Sequence, residues 1–148
     1  MNEENPLEVA RDLSQLLLAA ADLSREVFAE IARDLDVSVQ HARALCLLDG
    51  TAPMAELATK LACDKSYVTV LTDQMEGLDL VKRILGIDRR FKLLELTPKG
   101  TALRQELEYR IALQSPVMVS LSALERGALE RLLAKILPER PRPLATPE

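Results

Sequence analysis

The chain has no tryptophan and only two tyrosines and two phenylalanines in 148 residues, so aliphatic side chains must build its core. No apolar run approaches the roughly 18 residues that cross a bilayer. The first residues, Met-Asn-Glu-Glu-Asn, are acidic and unlike a secretory signal. The length fits one domain, since domains commonly hold about 100–200 residues. These absences predict a cytoplasmic protein with no membrane partner.

Groups for catalysis or metal binding are equally scarce. His41 is the only histidine, and no cluster of His, Cys and carboxylates has metal-ligand spacing. No Ser-His-Asp or Cys-His set can be assembled, and there is no glycine loop for a phosphate. We therefore expect neither an enzyme nor a protein with a cofactor or metal. Cys46 and Cys63 are interpreted as small core residues, although oxidant sensing by either stays open. His41 is expected to be partly buried or on the surface.

Charge is distributed unevenly along an acidic chain. The formal net charge is −4, and residues 1–36 alone carry nine acidic against three basic side chains. Residues 82–104, which we call the basic segment, carry seven basic against two acidic side chains, a net charge of +5. A phosphate backbone responds to the local potential, so a DNA partner is compatible with the acidic total.

Periodicity predicts a mostly helical protein with one small hairpin. Apolar residues from Leu13 to Ile31 repeat at helical spacing, and further helices are predicted from a Ser38 cap through Leu48, over Met54–Leu61 and from Asp64 to about Gly77. A hairpin follows, with strands at 81–84 and 92–96 and a turn at 85–90. Thr97-Pro98 should open a helix to about Gln114, which Pro116 ends or kinks. Ser122 and Glu125 form a capping box for a last helix.

A short helix, a tight turn, a second helix and a hairpin make the plan of a winged helix-turn-helix. In the second helix Val68, Leu71 and Met75 should face inward. Ser66, Thr69, Val70 and Asp73 then face outward, with Tyr67 and Gln74 to one flank. An ordinary amphipathic helix with a solvated face would show the same periodicity.

The hairpin would be the wing. Arginines at its tip suit phosphates and narrow minor grooves, and Asp88 should orient them. The alternative is a solvated hairpin with a weak ion pair. The candidate DNA-binding residues are Lys65, Ser66, Tyr67, Thr69, Val70, Asp73, Lys82, Arg83, Asp88, Arg89, Arg90 and Lys92.

Four motifs at this spacing resemble the MarR family, the multiple-antibiotic-resistance type of bacterial transcriptional regulator. They are Leu57-Ala58, Asp64 to Thr69, Asp88 to Arg90 and Leu96 to Gly100, within a matched core of about residues 37–104. The resemblance implies a homodimer that binds double-stranded DNA at a near-palindromic operator, with terminal helices intertwined. It also implies, for many members, release by a small aromatic or anionic effector near the junction of the two parts.

Three positions depart from the family pattern. Val70 stands where an arginine is common, and Asp79 stands where glycine is usual, although aspartate tolerates a left-handed backbone better than most residues. The wing is about one residue short and lacks its common proline, which leaves Gly86 to make the bend.

The resulting expectation is a mostly α winged helix-turn-helix protein. Residues 37–97 form its DNA-binding part, residues 1–36 and 98–137 its dimerisation helices, and residues 138–148 a flexible tail. The predicted function is sequence-specific transcriptional regulation, as a repressor. The alternative is a winged-helix dimer that binds protein or sequesters a ligand without binding DNA; the acidic balance and Val70 favour it, and the basic wing opposes it.

Overall fold

A computed structural model describes residues 5–137 of the chain. The predicted tail, residues 138–148, and the first four residues lie outside this range. Seven helices and three strands occur within it, in the order α1 (Pro6–Asp34), α2 (Val39–Leu47), β1 (Thr51–Pro53), α3 (Met54–Leu61), α4 (Lys65–Gly77), β2 (Val81–Leu85), β3 (Lys92–Leu96), α5 (Pro98–Gln114), α6 (Pro116–Ser120) and α7 (Ala123–Ile136). The mostly helical class with a small winged hairpin is therefore confirmed.

Capping side chains start three of the helices where the sequence predicts. Ser38 accepts a hydrogen bond from the His41 amide at 3.1 Å, and Thr97 accepts one from the Gly100 amide at 3.0 Å. The Ser122–Glu125 capping box is complete in both directions, which satisfies two otherwise unpaired amides. Asp64 occupies the N-cap of α4, but its side chain makes no capping hydrogen bond.

Three features differ from the prediction or add to it. The hairpin is part of a three-stranded antiparallel sheet of order β1-β3-β2, because the short strand β1 pairs with β3 at Ala52↔Leu94. Leu85, which was assigned to the turn, is the last residue of β2 and pairs with Lys92. The helix before Pro116 ends at Gln114, as predicted, but Pro116 also starts a further helix, α6, which was not predicted; proline at the first helical position loses no hydrogen bond.

The core lies where α2, α3, α4 and the sheet meet the ends of α1 and α5. Leu45, Leu57 and Leu107 are fully buried there, as are the small residues Ala42 and Ala44, which let the helices approach closely. The core is aliphatic, as the lack of aromatic residues requires. It positions α4 and the wing on one side of the molecule and leaves α7 with no buried residue.

One close approach fixes the first turn of α5 against the wing. A Cβ on Gly100 would lie 1.9 Å from the Leu80 carbonyl oxygen, so no larger residue fits. The Thr97 amide donates to that same carbonyl at 3.1 Å. Asp79, just before it, has φ 58°, which confirms the left-handed backbone expected at this position.

Candidate nucleic-acid interface

Helix α4 presents two distinct faces. Val68, Leu71 and Met75 are buried, as the periodicity predicts, and Thr72 is buried beside them. Lys65, Ser66, Tyr67, Thr69, Val70 and Asp73 are all exposed. The predicted inward and outward sets are therefore confirmed, and the outward set stands in one patch toward the N-terminal end of the helix.

Thr69 has part of its hydrogen-bonding capacity already in use. Its hydroxyl donates to the Lys65 carbonyl one turn earlier at 3.0 Å. The hydroxyl oxygen keeps acceptor capacity, so in this conformation Thr69 can accept a hydrogen bond but has no proton to donate. Lys65, Ser66 and Tyr67 remain able to donate toward a ligand of α4.

Helix α4 is held in place from two sides. Ala62 ends α3 in a left-handed conformation, with φ 52°, and the Cys63 amide donates to the Ala58 carbonyl at 3.1 Å, which closes the tight turn. On the other side His41 Nε2 lies 3.1 Å from Gln74 Oε1. His41, a residue of α2, is buried against α4 and links the two helices. The sequence pattern did not predict this link.

Arg83 ties the wing to α4. Its Nη2 donates to Asp73 Oδ1 at 2.6 Å, its Nη1 to Glu76 Oε1 at 3.0 Å, and its amide to Glu76 Oε2 at 3.0 Å. The side chain of Arg83 is only 24% exposed. Two of the predicted DNA-binding residues, Arg83 and Asp73, are thus brought together and bind each other in this structure.

Several other cations of the basic segment are also paired internally. Lys82 lies 3.3 Å from Glu95 across the strand pair, and Arg104 binds Asp49 and Glu108. Lys99 donates to the Leu78 carbonyl at 3.0 Å. The net charge of the segment therefore overstates the number of cations that are available to a ligand.

The cations of the wing tip are exposed, and the Arg90 side chain is 85% exposed. Asp88 accepts hydrogen bonds from the Arg90 amide at 3.1 Å and from Arg90 Nη2 at 2.9 Å. The Arg90 side chain, with help from its amide, lowers the pKa of Asp88 below its ordinary value. Asp88 therefore orients Arg90, as predicted. Within residues 5–137 Arg89 and Lys92 are in no ion pair with a carboxylate.

A groove of about 530 Å³ joins α4 to the wing. Thr69 and Asp73 line it from α4, and Arg83 and Lys92 line it from the strands, with Lys65 at the start of α4. The groove places the exposed end of α4 on one continuous surface with Arg83 of β2 and Lys92 of β3. We call this surface the α4–wing face.

The sequence pattern missed one feature of this face, which is the apolar character of the wing tip. Leu85, Ile87 and Phe91 are 68%, 110% and 59% exposed. Hydrophobic residues normally indicate burial, and the turn predicted at 85–90 says nothing about the exposure of the Leu85 side chain. The sequence did contain one indication: Ile87 belongs to none of the apolar repeats that predict buried positions.

The two cysteines pack against the core without being fully buried. Burial, followed by the nearby Glu108 carboxylate, raises the pKa of the Cys46 thiol to about 11. A thiol with that pKa is almost entirely protonated near neutral pH, and the thiolate is the reactive form. Cys46 is therefore poorly suited to oxidant sensing.

A second cavity of about 740 Å³ lies between α1, α2 and α5. Val27, Phe28, Ile31, Val39 and Ile111 give it an apolar lining, and Arg25 and Arg43 stand at its edge. Arg25 pairs with Asp22. The cavity is at the junction of the terminal helices with the winged-helix part.

Neither a metal site nor a membrane-spanning helix is found in the part of the chain that the structure describes. No group of three or more His, Cys, Asp or Glu residues within 5–137 could hold a metal ion. Over the same residues, none of the helices is both long and apolar enough to cross a membrane.

The fold and the α4–wing face together define a winged helix-turn-helix protein. No family model matches the chain. A stretch of 86 residues is 36% identical to the HTH-type transcriptional regulator MgrA of Staphylococcus aureus, over 55% of this chain. The match spans 56% of the relative, so the chain covers little more than half the length of the curated relatives it matches.

Solved structures extend the similarity over most of the chain. The apo form of MarR from E. coli superposes with a TM-score of 0.69 at 25% identity, covering 85% of this chain and 96% of MarR. A MarR mutant complexed with operator DNA has a TM-score of 0.72 at 23% identity, covering 91% of this chain and all of that one, which shows the shared fold. The resemblance of this chain to the MarR-family regulators, indicated by its four motifs, is confirmed in sequence and in fold.

Proposed function

We propose that this protein is a transcriptional repressor that binds double-stranded DNA as a homodimer, at a near-palindromic operator. The observation that carries the proposal is the α4–wing face, where the hydrogen-bonding end of a helix shares one groove with Lys65 and Lys92, neither of which is in an ion pair within residues 5–137. MgrA is named as a transcriptional regulator, and MarR has been solved with operator DNA, which supports the same function here.

The exposed end of α4 has the chemistry for reading base edges in a major groove. Ser66 and Tyr67 can donate or accept hydrogen bonds, Thr69 can accept, and Val70 can pack on a thymine methyl group. Helix α4 contains no arginine that could offer a fork to guanine. The operator core should therefore favour A·T steps, and two such helices should sit in half-sites about 34–36 Å apart.

The proposed homodimer follows from apolar surface that one chain leaves uncovered. Large hydrophobic residues are exposed on the terminal helices, and they include Leu7, Leu13, Leu16, Leu17, Tyr109, Leu113, Leu124, Leu132 and Ile136. Contiguous exposed apolar surface of this kind commonly marks a protein interface. A second copy of the chain supplies a matching surface and a two-fold axis, which a palindromic operator requires.

Titration of a mixed-sequence duplex against salt tests DNA binding. Each neutralised phosphate releases counterions, so log K should fall linearly with log salt, with a slope of about −0.9 for each contact. Arg89→Ala should reduce that slope by about one, and Arg90→Ala should do the same if it contacts only phosphate. The alternative, a protein-binding or ligand-sequestering dimer, predicts no binding of the duplex at any salt concentration.

Thr69→Ala tests sequence reading by α4. On a duplex selected from a random library we expect a loss of about 1–3 kcal/mol in specific affinity, with non-specific affinity nearly unchanged. Thr69→Ser, which keeps the hydroxyl, is the matched control. Equal losses on selected and random duplexes would mean that α4 positions the protein and does not read bases.

The cavity between α1, α2 and α5 favours an anionic aromatic effector. Its lining is apolar, and Arg43, at its edge, is in no ion pair within residues 5–137. Binding there could couple to the DNA face because α2 carries both Arg43 and His41, which contacts Gln74 of α4. Benzoate should release bound duplex from the wild type and not from Arg43→Ala; equal release from both would place the effector elsewhere.

A further inference from the structure

The wing tip exposes apolar side chains beside the exposed cations Arg89, Arg90 and Lys92. Leu85, Ile87 and Phe91 fall within seven residues and are all exposed, and Ile87 is exposed completely. Isolated surface hydrophobic residues are ordinary, but a cluster on a protruding hairpin needs a partner.

The tip is ordered before any partner binds. The Gly86 amide donates to the Phe91 carbonyl at 3.2 Å, and the Phe91 amide donates to the Asp88 carbonyl at 3.0 Å. Asp88 also holds the amide and guanidinium of Arg90. These bonds fix the backbone on both sides of Ile87, so little conformational entropy is lost when its side chain enters a site.

The charges around the apolar tip select the kind of partner. Arg89, Arg90 and Lys92 against Asp88 leave an excess of two positive charges within eight residues. A dry protein interface disfavours such a ring of cations, whereas the minor groove of DNA has apolar sugar walls and anionic phosphate rims. The tip also continues the α4–wing face, since Lys92 lines its groove and pairs with Leu85.

We propose that Ile87 is a specificity-determining residue that inserts as an apolar wedge into the DNA minor groove beside the site of α4. The inference rests on the proposed DNA binding and adds a base preference to it. The 2-amino group of guanine is the one donor that projects into the minor groove. Ile87 would bury that donor without a hydrogen-bond partner, so the wedge disfavours G·C pairs beneath the wing.

Inosine isolates this contact, because it lacks the 2-amino group of guanine and keeps the major-groove pattern. The probes are a mixed-sequence duplex of about two helical turns and the same duplex with every guanine replaced by inosine. The wild type should bind the inosine duplex about tenfold more tightly, as expected when one buried donor is no longer left unpaired. Ile87→Ser should remove most of that preference, and Ile87→Val should keep it.

Arg89→Ala is the matched control for charge. It should lower affinity for both duplexes and reduce the salt slope by about one while keeping the inosine preference. Ile87→Ser should leave the salt slope unchanged. Because Ile87 is fully exposed, neither its replacement by serine nor by valine should lower the melting temperature, which circular dichroism checks.

The outcomes separate this inference from the proposed function. If the wild type binds neither duplex, DNA binding itself is wrong. If it binds both with equal affinity, or if Ile87→Ser keeps the preference, the wedge is wrong while DNA binding stands. Ile87-dependent binding to phosphatidylglycerol vesicles, without DNA binding, would overturn the inference in favour of a membrane surface.

Discussion

The winged-helix part and the terminal helices of this chain are built from similar residues but packed very differently. In the first, Ala42, Leu45, Leu48 and Leu57 are completely buried. In the second, α7 buries none of its residues, and α1 buries only Ile31 and Ala32 near its end. The first part has a complete hydrophobic core within one chain, and the second part does not.

The difference shows how much a helix depends on packing in addition to its intrinsic stability. Short isolated helices are marginal in water, and most helical stability comes from packing an apolar face. A 14-residue helix such as α7, with no buried residue, lacks that packing within its own chain. The exposed leucines of α1 and α7 are therefore best explained by a second copy of the chain.

Deletion of residues 121–148 should have the largest effect on folding. In a single chain the loss of α7 would expose little new core, so only an interchain role makes it costly. We expect an insoluble or unfolded product, measured by soluble yield and circular dichroism. A chain that ends at Leu137 is the control and should fold, whereas a stable monomeric truncation that still binds DNA would contradict the proposed dimer.

A pair of glycines compares α5, which packs on the core, with α7, which buries no residue. Gly100→Ala places a Cβ 1.9 Å from the Leu80 carbonyl oxygen, so we expect a loss of about 3 kcal/mol or more in the free energy of unfolding. Gly127→Ala in α7 meets only the Arg131 side chain, at 3.7 Å, and alanine favours a helix. Its effect should stay within about 1 kcal/mol in urea denaturation. Equal effects at both positions would remove the distinction between a helix that packs on the core and one that does not.

Two neighbouring cations in the winged-helix part allow a partly buried ion pair to be compared with an exposed one. Arg83 is partly buried and holds Asp73 and Glu76, so Arg83→Ala should cost about 1 kcal/mol of unfolding free energy after allowance for solvent screening. Lys82 and its partner Glu95 are more exposed, and Lys82→Ala should cost less than about 0.5 kcal/mol. Urea denaturation of both variants tests this, and a larger loss at Lys82 would reverse the assignment.

The smallest expected effect is the pH response of the wing tip. The lowered pKa of Asp88 means that its contribution to an ordered tip is complete above the unfolded value of about 3.9 and is lost as the pH falls through the lower folded value. Titration of the Asp88 carboxyl by NMR should show this lowered pKa. In Arg90→Ala the pKa should rise toward its ordinary value, and an unchanged pKa would mean that Arg90 does not hold the carboxylate.

Local chemistry made much of the architecture predictable. The caps at Ser38, Thr97 and Ser122 set helix starts within a residue because each acts on amides of the following turn. The inward-facing residues of α4 were predictable from the spacing of its apolar residues alone. Strand β1 was not predictable in this way, because three residues that include Pro53 acquire strand character only by pairing with β3.

The sequence by itself determined the order of elements, the winged helix-turn-helix plan and the outward residues of α4, since these depend on contacts within a few turns of the chain. Only the tertiary structure decided which cations are available, because Arg83 and Lys82 meet carboxylates seven or more residues away. It also decided that His41 is buried against Gln74 and that Ile87 is fully exposed. Ion pairing and burial depend on what the fold brings near a side chain, and composition alone does not specify those neighbours.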